Sequence, residues 1–582
     1  MSDDGSNVNA ETTSKISEGV VLREHSNENL LKFDTHDKYS TTSAMKKLIM
    51  KELPPPKTNA PPEPLFNGLL RMGKNPNTPL LFMAFQTPED SAAAAELLRG
   101  MQFRGKKQWR EVPVTQRDLQ LTHKGASKKR PREEVAAGQS KVSQWEGYSM
   151  EEQLTRKKEH CMQVTRVIAP TNVPKEQVFT GIHPSPQQCG YRNHVQLSFG
   201  YTESGKPSIG FLKGAMVEGT CAIDSVLEKD IITMHPLAKV VASAVLSVYD
   251  EFASPEKGGL EVFDKMKQRG FWRKLQVRHN VLGEVMIDME LDIESIDTTL
   301  ANLVKERLSS VLQSDTLKED LRKEYGKDTA SVVSAQYHHG TGISTLPPDL
   351  PRHTLFGTST LTEHLSGLQF ELSPTSFFQV NTPGMELLLR ETVALAELTP
   401  STTLLDLCCG TGTIGITLAR YVKRVIGIEL VESAVRDAKL NSERNNVNNT
   451  TFYCGRVEQL LPDILNALPN EDKKDIVVIL DPPRAGVTPT VLKWIRGTPT
   501  IRRVVYISCE QKALERDCPA LTKPSTKAYR GMPFDVTAAF AVDLFPHTPH
   551  VEMVAVLVRR EEEEEEEKEK EKEGKENNNT NE

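Results

Sequence analysis

From residue 376 onward, short apolar runs alternate with longer amphipathic stretches. TLLDLC, RVIGIEL, TFYC, DIVVIL and RRVVYIS are each followed by a segment with apolar residues at helical spacing. Runs this apolar are strands covered on both faces. Their alternation with helices predicts a doubly wound, mostly parallel α/β sheet over residues 376–559. Sheets of that kind bind ligands beyond the carboxyl ends of their strands, and candidate chemistry is sought there.

Upstream the pattern changes. Residues 151–375 mix alternating strands (HVQLSFGY, KLQVRHN, EVMIDMELD) with helices such as HPLAKVVASAVLSVYDEF, an α+β domain without chemistry of its own. Residues 27–121 read strand LLKF, helix TTSAMKKLIMKEL, strand LFNGLLRM, strand PLLFMAFQ, helix PEDSAAAAELLRGM, strand QWREVPVT. That is the order of an RNA-recognition-motif domain. Phe82 and Phe85 fall where that fold places base-stacking aromatics. Leu80, however, stands where a second aromatic is usual, and the Gly-rich signature is missing, so a plain core role stays open for both. Residues 1–26 form a polar lead. Residues 122–150 read as a linker whose KKRPREE is equally an import signal, a phosphate-contacting patch or a solvated stretch.

Charge alters the picture once it is localised. The chain of 582 residues carries −7, but residues 561–582 alone hold twelve Glu and four Lys, leaving about +1 for everything else. The tail 560–582 has nothing to bury and is expected to be disordered. Between Arg104 and Arg132 ten Lys/Arg face only Glu111 and Asp118, so overall acidity does not exclude a nucleic-acid partner. No run of eighteen apolar residues is present, and the first twenty residues lack a signal-peptide or transit pattern. Eight cysteines without framework spacing predict a reducing compartment, cytosol or nucleus, and the lack of CxxC argues against zinc or iron–sulfur ligation.

Three strand ends carry the candidate chemistry. The first runs into Asp406-Leu407-Cys408-Cys409-Gly410-Thr411-Gly412-Thr413-Ile414-Gly415, where glycines allow a tight turn and close approach of backbone to a ligand. Glu429 ends the next strand, placed to accept bonds from ribose hydroxyls; alone, this pair describes a nicotinamide or flavin site equally well. DIVVIL then delivers Asp481-Pro482-Pro483-Arg484, two prolines fixing Asp481 at a strand tip, which fits an adenosylmethionine site better than hydride transfer. The fifth strand ends in Tyr506-Ile507-Ser508-Cys509, a candidate nucleophile or an inert buried thiol. His547-Thr548-Pro549-His550-Val551-Glu552 precedes the last strand and supplies an acid or base.

Taken in order, FFQVN (Phe377 to Asn381), DLCCGTGTIG, GIEL, DPPRAGV, YISC and HTPHVE resemble the RNA uracil-C5 methyltransferase family, in its tRNA-modifying branch with an N-terminal RNA-recognition-like domain. YRNHVQLSFGY and GTCAI resemble the same proteins. The likeness covers about 180–559 clearly and 27–121 loosely. It implies a Rossmann-like class I methyltransferase domain and S-adenosylmethionine as cofactor. It also implies a T-loop uridine of tRNA as substrate. Cys509 would be the thiolate that adds to uracil C6, turning C5 into a nucleophile for the methyl group. Glu552 would be the base that removes the C5 proton so that the thiolate leaves. Gln379, Cys408, Gly410, Gly412, Thr413, Glu429 and Asp481 would line the cofactor site. A uridine in folded RNA has to be turned outward to reach such a pocket. Two positions depart from the family: Glu510-Gln511 replaces the usual Asn-Pro after the cysteine, and His547 stands where Gln is normal. A carboxylate at 510 is expected to raise the thiol pKa. The competing readings are a dinucleotide-dependent oxidoreductase and a non-catalytic tRNA-folding protein. Since one chain carries every element, a monomer is expected.

Overall fold

The computed structural model describes residues 30–34, 69–74, 80–85, 87–98, 110–111, 143–169, 175–213, 222–264, 269–340, 350–527 and 529–561. The chain divides into two compact units, residues 1–134 and 135–582.

In the first unit, strands β1 (Leu30–Asp34), β2 (Leu69–Lys74), β3 (Leu80–Phe85) and β4 (Arg110–Glu111) form one sheet in the order β2-β3-β1-β4, with the helix Pro88–Leu98 between β3 and β4. β1 runs antiparallel to β3 and to β4. Phe33, Leu81, Met83 and Phe85 are buried with Ala94, Ala95 and Leu98 of the helix. Phe85 is thus a core residue and not an exposed stacking platform. The Phe82 side chain, the expected helix TTSAMKKLIMKEL and the KKRPREE cluster lie outside the described residues.

The second unit contains two larger sheets. One is built from β5 (Phe179–His183), β15 (Thr403–Leu407), β16 (Arg424–Glu429), β17 (Thr450–Cys454), β18 (Ile476–Leu480), β19 (Ile501–Ser508), β20 (Phe534–Val542) and β21 (Glu552–Arg559), in the order β17-β16-β15-β18-β19-β21-β20-β5. The run β17 to β19 is parallel, and β21 is antiparallel to both β19 and β20. Alternate residues of one strand point to opposite faces. Leu405, Ile426, Val478 and Val504 accordingly enter the core on one side, and Leu404, Val425, Val477 and Val505 the core on the other. That double coverage is why these strands read as continuous apolar runs. Helix Met150–Ile168, N-capped by Ser149, packs on this sheet through Cys161, Val164 and Ile168. Together with β5 it gives the α/β layer a contribution from well upstream of residue 376.

The other sheet has the order β12-β11-β10-β9-β6-β7-β8, from β6 (His194–Tyr201), β7 (Pro207–Leu212), β8 (Ile223–Ser225), β9 (Trp272–His279), β10 (Glu284–Leu291), β11 (Ser331–His339) and β12 (His353–Gly357). Helices Pro236–Phe252, Thr298–Leu312 and Asp315–Tyr325 close an apolar core over one face, around Trp272. On β9, Gln276 and Arg278 project opposite to Leu275 and Val277, and they meet the segment just before FFQVN. Gln276 Nε2 donates to Pro374 O at 2.6 Å and Arg278 Nη2 to Ser376 O at 2.7 Å. A hairpin, β13 (Leu361–Leu365) and β14 (Leu368–Leu372), leads into helix Thr382–Ala396, whose cap is Asn381.

Candidate active site

The turn after β15 is held by backbone bonds that leave one side open. Cys408, at φ 68°, donates its N–H to Ile428 O at 2.9 Å, and Gly410 and Gly412 take φ 54° and 78°. These left-handed angles suit glycine. A Cβ on Gly410 would meet nothing within 4 Å, so open space lies beside the turn. Packing is tight on the far side: a Cβ on Gly427 of β16 would come within 2.4 Å of Phe452 and 2.8 Å of Cys409 Sγ. Glu429 is tied into the turn, accepting from Gly410 N at 3.1 Å and Val431 N at 2.9 Å. Asp406 Oδ2 accepts from Gly415 N at 2.8 Å, while Oδ1 has no partner among the described residues. Burial pushes the Asp406 carboxyl up to about 7, partly offset by the Gly415 bond. Thr413 opens the short helix after the turn, its Oγ1 3.1 Å from Thr411 Oγ1. Gln379 is fixed through its main chain, whose carbonyl accepts from Asn193 Nδ2 at 3.0 Å. Its side-chain amide has no hydrogen-bond partner among the described residues.

Cys509 follows β19 and Glu552 opens β21. The antiparallel register Ser508↔Met553 brings the two residues side by side across the ladder. Glu552 is buried, and neither carboxylate oxygen has a hydrogen-bond partner among the described residues. Burial first, and Asp481 second, hold this carboxyl well above the ordinary range. The Cys509 thiol is partly buried and also raised, by burial, then by Glu552 and Asp481; the Arg484 charge opposes the shift. Asp481, partly buried at the tip of β18 and pushed up to about 7 by burial, is common to both halves. Its charge acts on Asp406 and Cys408 as well as on Cys509 and Glu552. The structure therefore gathers Cys408, Gly410, Glu429, Asp481 and Cys509 at the carboxyl ends of β15, β16, β18 and β19, with Glu552 at the facing amino end of the antiparallel β21.

Glu510, beside the thiol in sequence, is engaged by the helix that follows. Its side chain turns to the N-cap of helix Gln511–Thr522, accepting from Lys512 N, and its charge is felt by His550. The other departure, His547, is structural. At φ 64° its N–H donates to Gln153 Oε1 at 2.8 Å, its ring Nδ1 lies 3.2 Å from Gln153 Nε2, and its carbonyl accepts from Trp145 N at 2.9 Å. One turn further along the same helix, Lys157 Nζ meets Asp543 Oδ1 at 2.6 Å and donates to Phe545 O at 3.1 Å, both charged groups being buried. The end of the expected linker, from Ser143, is thus packed under the HTPHVE loop.

Four contributors were missed in the sequence: Arg484, Gln511, Gln153 and Lys157. Arg484 sat unread within DPPR. Gln153 and Lys157 had a visible signal, since with Cys161 and Thr165 they step by four along one face of the helix, polar residues on a buried stripe.

Residues 357–560 match the model of the tRNA (Uracil-5-)-methyltransferase family. The chain is 35% identical over 387 residues to mouse tRNA (uracil-5-)-methyltransferase homolog A, which covers 66% of this chain but 59% of that protein. It is 32% identical over 418 residues to the Pongo abelii homolog B, covering 70% of this chain and 81% of that one. The chain therefore spans under two thirds of its homolog A relatives and most of its homolog B relatives. A solved Pyrococcus abyssi tRNA (uracil-54, C5)-methyltransferase in complex with S-adenosyl-L-homocysteine is similar in fold, with 22% identity, a TM-score of 0.50, and coverage of 79% of this chain and 92% of that one. On the identity and coverage of these relatives, the chain belongs to the tRNA (uracil-5-)-methyltransferase family.

Proposed function

We propose that this chain methylates C5 of a uridine in tRNA, the T-loop uridine, from S-adenosylmethionine through a covalent Cys509 adduct. The observation that carries the reading is the pairing of Cys509 with a buried, unpartnered Glu552 across the β19–β21 ladder, with Asp481 joining them to the glycine turn. A carboxyl kept out of water without a protein partner is costly, and such groups concentrate at functional sites.

The cofactor site fits its group. The glycine turn leaves open space at Gly410, and Glu429 and Asp481 lie at the ends of β16 and β18, the two strands that flank β15. Cys408, Gly412, Thr413 and Gln379 would complete the lining. The bound cofactor supplies an electrophilic methyl group on sulfonium. Everything else falls to the chain. The Cys509 thiolate bonds to uracil C6, and the C5=C6 electron pair moves to make C5 nucleophilic. Once C5 has been methylated, Glu552 removes the C5 proton, the C5=C6 bond re-forms, the C6–S bond breaks and the thiolate is released. Burial makes Glu552 a stronger base than an ordinary carboxylate. Arg484 stabilises the thiolate that burial and two carboxyls disfavour.

The N-terminal sheet order β2-β3-β1-β4 supports an RNA-recognition-like fold for the first unit, a second contact with RNA. With Phe85 buried, that contact does not rest on Phe85 stacking. A monomer in cytosol or nucleus completes the reading; no helix among the described residues is long and apolar enough to cross a membrane.

The test is an RNA carrying 5-fluorouridine, which has no C5 proton to lose. With adenosylmethionine present, the wild-type protein should form an adduct stable to denaturation, mapping to the Cys509 peptide. Lack of an adduct with RNA and cofactor both bound would reject the covalent route.

A further inference from the structure

Beside the candidate site lies a cavity of about 390 Å³, lined among others by Arg192, Gln196, Phe211, Arg484, Thr548 and His550. Its size is that of a small-ligand pocket. Its charge is one-signed: among the described residues neither Arg192 nor Arg484 is paired with a carboxylate, and both guanidinium charges reach His550. Two guanidinium groups facing one cavity whose lining carries no carboxylate attract an anion, and arginine forks match phosphate oxygens. The remaining lining differs from that of a bare anion site. Phe211 offers a half-buried ring and Gln196 an exposed amide, which suit the face and the edge of a base. Arg484 also brings its charge to Cys509, so the cavity adjoins the candidate nucleophile.

We infer that this cavity holds the nucleotide joined to the reacting uridine, its phosphodiester between Arg192 and Arg484 and its base against Phe211. The inference rests on the proposed function and extends it from the reacting base to its neighbour. Arg192 contributes binding without touching the reacting atoms. Arg484 faces both ways, so occupancy by phosphate would compete for the guanidinium that stabilises the thiolate and orient it at once.

The test compares Arg192→Gln and Arg192→Lys with the wild-type protein, using unmodified tRNA transcript and labelled adenosylmethionine. For Arg192→Gln, KM for RNA should rise about tenfold with kcat within about twofold. The slope of log affinity against log salt should shrink by about 0.7, the loss of one single-strand phosphate contact. Arg192→Lys should recover part of the KM and most of the slope. An unchanged KM and slope in Arg192→Gln, with adenosylmethionine affinity and Tm intact, would overturn the inference. So would a fall in kcat at constant KM, which would put Arg192 in the chemistry. A wild-type protein that methylates no uridine would instead overturn the proposed function.

Discussion

Gln511 Nε2 donates to the Val551 carbonyl at 2.7 Å, and this bond joins the turn that carries Cys509 to the strand that begins at Glu552. Gln511 is itself buried, so its loss leaves a carbonyl in the interior without a donor, at a cost of about 1–3 kcal/mol. The geometric consequence should exceed the energetic one. Gln511→Leu is expected to lower kcat by about tenfold to a hundredfold with unchanged adenosylmethionine affinity, since small misplacements of reacting groups cost rates of that order. Single-turnover kinetics beside equilibrium cofactor binding reads both quantities; a variant with wild-type kcat would show that the bond is incidental.

Lys157 and Asp543 should behave as a buried pair. Removing one partner strands the other charge, so Lys157→Met should destabilise by about 3–5 kcal/mol. Lys157→Met combined with Asp543→Leu should be less destabilised than Lys157→Met alone. Denaturant melts of the two variants measure the coupling, and simple additivity would contradict it.

Glu552 predicts a trade of stability for function. Its folded pKa lies well above the ordinary carboxylate value of about 4.3, so the folded state binds a proton that the unfolded state releases. Stability from this group is complete below the unfolded pKa and declines as pH rises toward the folded one. Glu552→Gln has no such decline. It should therefore gain Tm over the wild-type protein progressively between about pH 5 and 7 while losing methylation. A Tm difference that is flat with pH would contradict the burial account.

The Arg484 charge favours the Cys509 thiolate against the burial and carboxylates that disfavour it. Arg484→Met should move alkylation of the Cys509 peptide by iodoacetamide to higher pH, and the rising limb of the pH–rate profile with it. Unmoved midpoints would mean that the guanidinium does not govern the thiol.

The strands of the α/β sheet were legible because both faces are buried, which leaves mainly apolar stretches at 403–407 and 501–508 and an unbroken one at 476–480. The glycine turn and the strand-end Cys509 and Asp481 followed from that sheet logic. Adjacency in sequence says nothing of side-chain direction: the following helix takes the Glu510 carboxylate as a cap, while residues 484, 481 and 552, distant in sequence, bring charges to Cys509. The support from Gln153 and Lys157 was hidden for the same reason. Both lie nearly 400 residues from the loop they hold, and only the docking of their helix against the sheet brings them there.

The central claim is tested most directly by incubating the protein with methyl-labelled adenosylmethionine and an unmodified tRNA transcript, beside Cys509→Ala, and identifying the labelled nucleoside after digestion. The account predicts labelled 5-methyluridine from the wild-type protein and none from the variant. Label at another nucleoside, or 5-methyluridine from Cys509→Ala at the wild-type rate, would contradict it.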